Sequence, residues 1–483
     1  MPSRPHLLLI TTDQQRFDTI RALGYAHART PHLDALCRTG AAFRSAYADC
    51  PVCIPSRTTI MTGLPAWAFG VPYYNDRADL PIDPANSLPG RLSAAGYETV
   101  AIGKMHFWPR RCRYGFQRME LPADYLEDRV RRDGVTPPTW HGMGQNEIYP
   151  VPSAVPDADS LTAWTVDRSI AAIERRDPTA PLFLWTSFTK PHPPLDPPEG
   201  WWSLFRGADL PAPAEGDWIA RHGCALSANM DRRHHPRDFP TAAVLRHAKE
   251  AYLALIAQID GHLGRLFARL MELKMWDDTC ILFTSDHGEL LGDHGGIGKS
   301  SWLEGSSHVP FVIKPHRGMP HPRRREVPTP VTLADVAATL LASAGLPLLG
   351  NGADAWAFAT ADDAPARVVC GEYGDIWGGD GQYRSRWHGV TDGRWKYTWL
   401  ADGGTDLLFD LAADPTELRD LSGSEPAQRA RLRALVEEGL RARSHPDVGP
   451  DGLIARGPYR WSAEANWIVN AWHSPAFDVD VIH

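Results

Sequence analysis

Four stretches of this 483-residue chain share one pattern, a short continuous apolar run that ends abruptly in polar, chemically active residues. His6 to Thr12 ends at Asp13-Gln14-Gln15, and Glu98 to Ile102 ends at Gly103-Lys104-Met105-His106. Leu182 to Ser187 precedes Lys190-Pro191-His192-Pro193, and Thr279 to Thr284 ends at Ser285-Asp286-His287-Gly288. Continuous apolar runs of this length read as strands buried on both faces, as in parallel sheets. Val309 to Ile313 reads as a further strand. Helical stretches lie between them: one opening at Thr30-Pro31, with Thr30 as cap, then Leu88 to Ala95, Leu161 to Arg175, Ala242 to Lys274 and Thr332 to Ala344. The alternation predicts an α/β fold, a large, mostly parallel mixed sheet flanked by helices. Such sheets place ligands beyond the C-terminal ends of their strands, where the polar groups of this chain stand.

The pattern changes after about residue 365. Val368 to Cys370, Trp387 to Thr391, Lys396 to Trp399 and Leu407 to Phe409 are short segments separated by Gly and Asp turns, followed by a helical stretch from Glu425 to Arg441. The expectation is a main domain over residues 1–365 and a smaller α+β domain over 366–483, with an antiparallel sheet and an aromatic tail bearing Trp461, Trp467 and Trp472. Residues 108–160 show little periodicity and read as loops. The segment from Lys190 to about Pro240 is too long for a plain connection and reads as a site rim or an oligomer contact. His234-His235 inside it and Asp293-His294-Gly295 further on read as structural. Most of the eighteen tryptophans read as core or subunit contacts, and a homo-oligomer is expected.

A net charge of −8 argues against nucleic acid as the main partner, which needs a basic surface. No apolar run is long enough to span a membrane. Leu7 to Ile10 is too short for the core of a secretion signal, so the chain reads as cytoplasmic. Seven dispersed cysteines do not make a disulfide framework.

Cys50-Pro51-Val52-Cys53-Ile54-Pro55-Ser56-Arg57 leads into a short apolar stretch stopped by Thr62-Gly63. Proline suits a first helical turn and glycine a helix end, so Cys53 is expected at a helix N-terminus, where free N–H groups favour an anion. Arg57 lies one turn on and points back to the same spot. Taken alone, the Cys-x-x-Cys spacing also admits a redox pair or half a zinc site. Asp13, Asp286 and His287, with an oxygen nucleophile, could complete the shell of one divalent cation; hard oxygen ligands favour calcium or magnesium, and the histidine admits manganese.

Cys53-x-Pro55-Ser56-Arg57 followed by Thr62-Gly63 matches the signature of the sulfatase family, and further motifs follow in that family's order. Thr12-Asp13-Gln14 resembles its first metal motif, followed by Thr30-Pro31-His32-Leu33-Asp34. Gly103-Lys104-Met105-His106 resembles Gly-Lys-x-His, and Lys190-Pro191-His192-Pro193 resembles the histidine loop. Thr284-Ser285-Asp286-His287-Gly288 is similar to the second metal motif, and Lys299 stands at the substrate lysine. Leu408-Phe409-Asp410-Leu411 with Asp414-Pro415 resembles the C-terminal run. Two positions depart from the commonest pattern: Gln14 stands where many members have a second aspartate, and His287 where many have asparagine. Both variants resemble the branch of choline sulfatases and phosphonate monoester hydrolases.

The resemblance implies an alkaline-phosphatase-like fold and conversion of Cys53 to formylglycine by a formylglycine-generating enzyme. The hydrated aldehyde then attacks a small, soluble sulfate monoester. It implies one divalent cation, calcium before magnesium or manganese, on Asp13, Asp286, His287 and residue 53. Arg57, Lys104 and Lys299 are expected to neutralise the ester's oxygens, His192 to protonate the leaving group, and His106 to release the product. The alternatives are a phosphonate monoester or phosphodiester hydrolase using the same site, and a catalytically silent binding relative.

Overall fold

The computed structural model describes residues 4–69, 80, 82–134, 148–219, 240–375 and 384–457. His234, His235 and the tail tryptophans Trp461, Trp467 and Trp472 lie outside the described residues.

Strands β1 (His6–Asp13), β2 (Ala41–Phe43), β3 (Glu98–Gly103), β4 (Arg118–Glu120), β5 (Leu182–Pro191), β6 (Thr279–Ser285), β7 (Phe311–Lys314) and β8 (Glu326–Val327) form one sheet. Its order is β4-β3-β5-β1-β6-β7-β2-β8. The first five strands in that order run parallel; β7 is antiparallel to β6 and to β2. Alternate side chains explain why the strands look apolar throughout. Leu7 and Leu9 pack on one face with Ile60 and Met61 of α2 (Cys53–Thr62), Leu88 of α3 (Leu88–Ala94) and Leu340 of α7 (Ala334–Ser343). Leu8 and Ile10 pack on the other with Leu36 of α1 (Pro31–Thr39), Val166 of α5 (Leu161–Glu174) and Ile259 of α6 (Ala242–Glu272). Each such side chain stabilises by about 1.5–3 kcal/mol when buried, so both layers are needed to hold the sheet.

A separate antiparallel sheet follows: β9 (Val369–Asp375), β10 (Arg384–Thr391), β11 (Trp395–Leu400) and β12 (Thr405–Asp410), in sequential order. Val390, Tyr397 and Leu408 pack against Leu432 and Val436 of α8 (Pro426–Ala442). Trp387, Leu407 and Phe409 pack the opposite way, against Tyr47, Val52 and Trp302 of the main body.

The expectation of loops over 108–160 is corrected by β4 and by α4 (Pro122–Asp133). Helix α4 is highly charged and buries only Pro122, Tyr125 and Leu126, and its ends are well specified. Pro122 starts it, Asp124 accepts the Leu121 N–H at 2.6 Å, Arg129 pairs with Asp133 at 3.0 Å, and Gly134 closes it at φ 72°.

Candidate active site

The C-terminal ends of β1, β3, β5 and β6 lie side by side because these strands are parallel and in register. Thr11 is opposite Ser187, Gly103 is opposite Ser187 on its other side, and Thr12 is opposite Ser285. Gly103 has φ 93°, and a Cβ there would lie 2.0 Å from the Ser187 carbonyl oxygen. Only glycine allows that approach, which lets the chain turn and send Lys104 toward β1.

Helix α2 opens at Cys53, as its sequence predicts, and ends on Gly63 at φ 65°, whose N–H meets the Thr59 carbonyl at 2.8 Å. All of its side chains are buried. The Cys53 sulfur lies 3.1 Å from Lys299 Nζ, 3.2 Å from His287 Nε2 and 3.9 Å from Asp13 Oδ1. His287 faces the sulfur through Nε2 because its Nδ1 is held by the Gly288 carbonyl at 3.0 Å. Asp286 Oδ1 accepts the backbone N–H groups of Gln14 at 3.1 Å and His287 at 2.9 Å.

Arg57 stands on α2, one turn after Cys53. It is completely buried, and its guanidinium already serves Asp286 Oδ2 (2.9 Å), Asp13 Oδ2 (3.1 Å), the Lys104 carbonyl (2.6 Å) and Ser187 Oγ (2.9 Å). It binds the two carboxylates together. Lys104 Nζ lies 2.6 Å from Asp13 Oδ2, and Lys299 Nζ lies 3.1 Å from Gln14 Oε1. Gln14 is turned by Glu289, which accepts its amide N–H; the other Glu289 oxygen receives the Leu291 and Gly298 N–H groups at 2.8 and 2.6 Å. Neither Glu289 nor Ser187 was singled out from sequence. Glu289 stands three residues after Asp286, and that spacing in a buried loop is the signal that was there to read.

The charges are strongly coupled. Burial alone would raise the Asp13 carboxyl, but Lys104, His192, Arg57 and Lys299 hold it well below the usual range. Burial and the Asp13 charge push Asp286 up to about 6. Burial and Asp13 would raise the Cys53 thiol, yet Lys299, Lys104 and His287 bring it down to about 6. His106 and His192 are both buried, and desolvation followed by Lys104 drives each well below the ordinary imidazole value. His192 Nδ1 is held by the Pro193 carbonyl at 2.8 Å, and His106 sits in the left-handed region at φ 57°.

The ligand atoms of Asp13, Cys53, Asp286 and His287 lie within 4.8 Å of one another. Two carboxylates, an oriented imidazole nitrogen and a nucleophile position suit a divalent cation. The raised Asp286 marks negative charge crowded enough to welcome one, so these residues fit the group. Cys50 is not among them; it is buried with Tyr47, Val52, Trp302 and Trp387, and burial followed by Asp49 pushes its thiol well up. That placement gives no support to a Cys50–Cys53 metal or redox pair.

A family model described as Sulfatase matches residues 5–346. The chain belongs to the sulfatase family. As such it is a sulfuric ester hydrolase. This sulfatase is 31% identical over 489 residues to an arylsulfatase of Clostridium perfringens (strain 13 / Type A), with 94% of this chain and 98% of that one covered. It is 28% identical to a choline-sulfatase of Rhizobium meliloti (strain 1021), over 89% of this chain and 85% of the other. Among solved structures, the sulfatase is similar to a phosphonate monoester hydrolase of Agrobacterium radiobacter, with a TM-score of 0.77, 28% identity, and 94% and 100% of the two chains covered. Among its described residues no helix is long and apolar enough to cross a membrane.

Proposed function

We propose that this sulfatase cleaves a small, soluble sulfate monoester with a formylglycine that a formylglycine-generating enzyme makes from Cys53. One divalent cation, calcium in preference to magnesium or manganese, would be held by Asp13, Asp286, His287 and residue 53. The observation that carries the reading is the position of the Cys53 sulfur, 3.1 Å from Lys299 Nζ and 3.2 Å from His287 Nε2, at the start of a helix.

Formylglycine would supply a hydrated aldehyde as the oxygen nucleophile, and a cation held by Asp13, Asp286 and His287 would lower its pKa and draw charge from the ester oxygens. Arg57 keeps Asp13 and Asp286 ionised and parallel, so its role is to shape the carboxylate pair. Lys104 and Lys299 remain to offset charge that grows on the ester's oxygens during bond breaking. Burial would lower the Lys299 ammonium, but Cys53, Asp13 and Asp286 raise it, so it stays charged. His192 is neutral in the ligand-free site; the negative ester beside it raises its proton affinity and fits it to protonate the leaving oxygen. His106, held neutral, is suited to accept the proton whose loss returns residue 53 to the aldehyde.

The second reading is a phosphonate monoester hydrolase. Gln14 in place of a second carboxylate, together with His287, favours it, as does the likeness to the Agrobacterium enzyme. Sulfate monoesters and phosphonate monoesters both present one negative charge on a tetrahedral centre. A matched panel of aryl sulfate and aryl phosphonate esters separates the two. Higher kcat/KM on the sulfate supports the first reading, and far better turnover of the phosphonate refutes it.

A further inference from the structure

Lys299 begins a segment that leaves the main sheet and is gripped at three points by the small C-terminal sheet. Its neighbour Ser300 is in the left-handed region at φ 77°, unusual for a residue with a side chain. The Ser300 N–H meets the Pro51 carbonyl at 3.1 Å, just ahead of α2, and its carbonyl accepts the Trp387 indole N–H of β10 at 2.8 Å. Two residues on, the Trp302 ring lies across Gly371 and Gly389, which face each other in the β9–β10 register. A Cβ at either glycine would come within 2.2 and 2.4 Å of that ring. Trp302 also packs on Trp387, with ring centroids 5.6 Å apart. Finally, Glu304 accepts from the wholly buried Lys396 of β11 at 2.6 Å, while its own N–H meets Glu417 Oε2 at 2.7 Å.

We infer that the C-terminal sheet sets the position of the Lys299 ammonium at residue 53, with Trp387 as the positioning residue and the Gly371–Gly389 trough as its support. The inference rests on the catalytic reading of Lys299 given above. A strained Ser300 does not hold its conformation alone; the Trp387 hydrogen bond and the seated Trp302 ring over-determine it. Removing the indole N–H deprives the half-buried Ser300 carbonyl of that donor and frees the backbone beside Lys299 to relax. Angular drift there moves a long side chain away from the ester oxygens it must neutralise.

The test is a double-mutant cycle on para-nitrophenyl sulfate, with rates normalised to the aldehyde content of each preparation. Trp387→Phe keeps the ring and deletes the N–H, and Gly389→Ala fills the trough independently should Trp387→Phe fold poorly. Each is expected to lower kcat/KM about tenfold in the otherwise unchanged enzyme, Trp387→Phe through the lost hydrogen bond and Gly389→Ala through displacement of the Trp302 ring. In a Lys299→Ala background each is expected to change it less than about twofold, because the residue they act through is gone. A merely structural role predicts equal losses in both backgrounds, which overturns the inference, as does an unchanged kcat/KM in both single variants. If Lys299→Ala itself retains full kcat/KM, the catalytic reading of Lys299 fails instead and the inference falls with it.

Discussion

His287 points its Nε2 at the Cys53 sulfur across 3.2 Å, and the ring cannot turn away while Nδ1 is engaged with the Gly288 carbonyl. A nucleophile position and a ligand nitrogen are thereby locked together, on segments more than two hundred residues apart in the chain. Metal removal should therefore silence the enzyme. Exhaustive chelation is expected to abolish aryl sulfate turnover, and adding back calcium, magnesium or manganese to restore it at one ion per chain. His287→Ala should weaken metal affinity by at least about tenfold in a direct titration. Activity that survives complete chelation would contradict the proposed role of the ion.

Arg57 gives a stability prediction of unusual size for one side chain. Its guanidinium serves two carboxylates, a carbonyl and a hydroxyl in a fully buried place. Arg57→Met leaves Asp13 with Lys104, and Asp286 with His287 at 3.6 Å as its remaining partner, in the metal-free site. Breaking such a buried pair costs about 3–5 kcal/mol, readable as a drop in unfolding free energy in urea. An unfolding midpoint equal to that of the parent would mean the charges are hydrated in a way this geometry does not allow.

The C-terminal sheet carries a pH dependence of its own. Burial would raise Glu372, but contacts with His388 at 3.3 Å and with Arg443 bring it from its usual 4.5 down to about 2. A lowered folded-state pKa stabilises above the unfolded value and that contribution vanishes as pH falls through the folded one. The contribution of Glu372 is thus complete above about pH 4.5 and lost by about pH 2. His388 has the opposite sign: burial would lower it, yet Asp447 and Glu372 raise it, so its share is full below 6.5 and is lost as pH rises past its raised value. Glu372→Gln should flatten the acid limb of a thermal-melt-versus-pH curve; an unaltered acid limb would remove Glu372 from the account.

Much of this was legible before any coordinates. The strand ends could be read because apolar runs buried on both faces leave no ambiguity about period, and because parallel strands bring like ends together. Asp13, Lys104, Asp286 and His287 meet as a direct result, and helix α2 and the loop after β6 bring Cys53 and Lys299 to them. For Arg57 the sequence is less informative. Sequence shows a cation one turn from a nucleophile, but not that four acceptors already surround it. Helix α4 buries only Pro122, Tyr125 and Leu126, so its apolar stripe is short, though its helical spacing and its caps were there to read. The bond from Trp387 to the Ser300 carbonyl could not be foreseen, since it joins residues 87 apart through a backbone atom.

The central claim concerns residue 53, and the mass of the tryptic peptide Ser45 to Arg57 tests it most directly. Protein made in a host that produces formylglycine, and shown to turn over aryl sulfate, should yield a peptide whose residue 53 has exchanged its thiol sulfur for a carbonyl oxygen with loss of two hydrogens. That peptide should also be captured by a hydrazide probe. Active enzyme whose peptide carries only an unmodified Cys53 thiol would contradict the account.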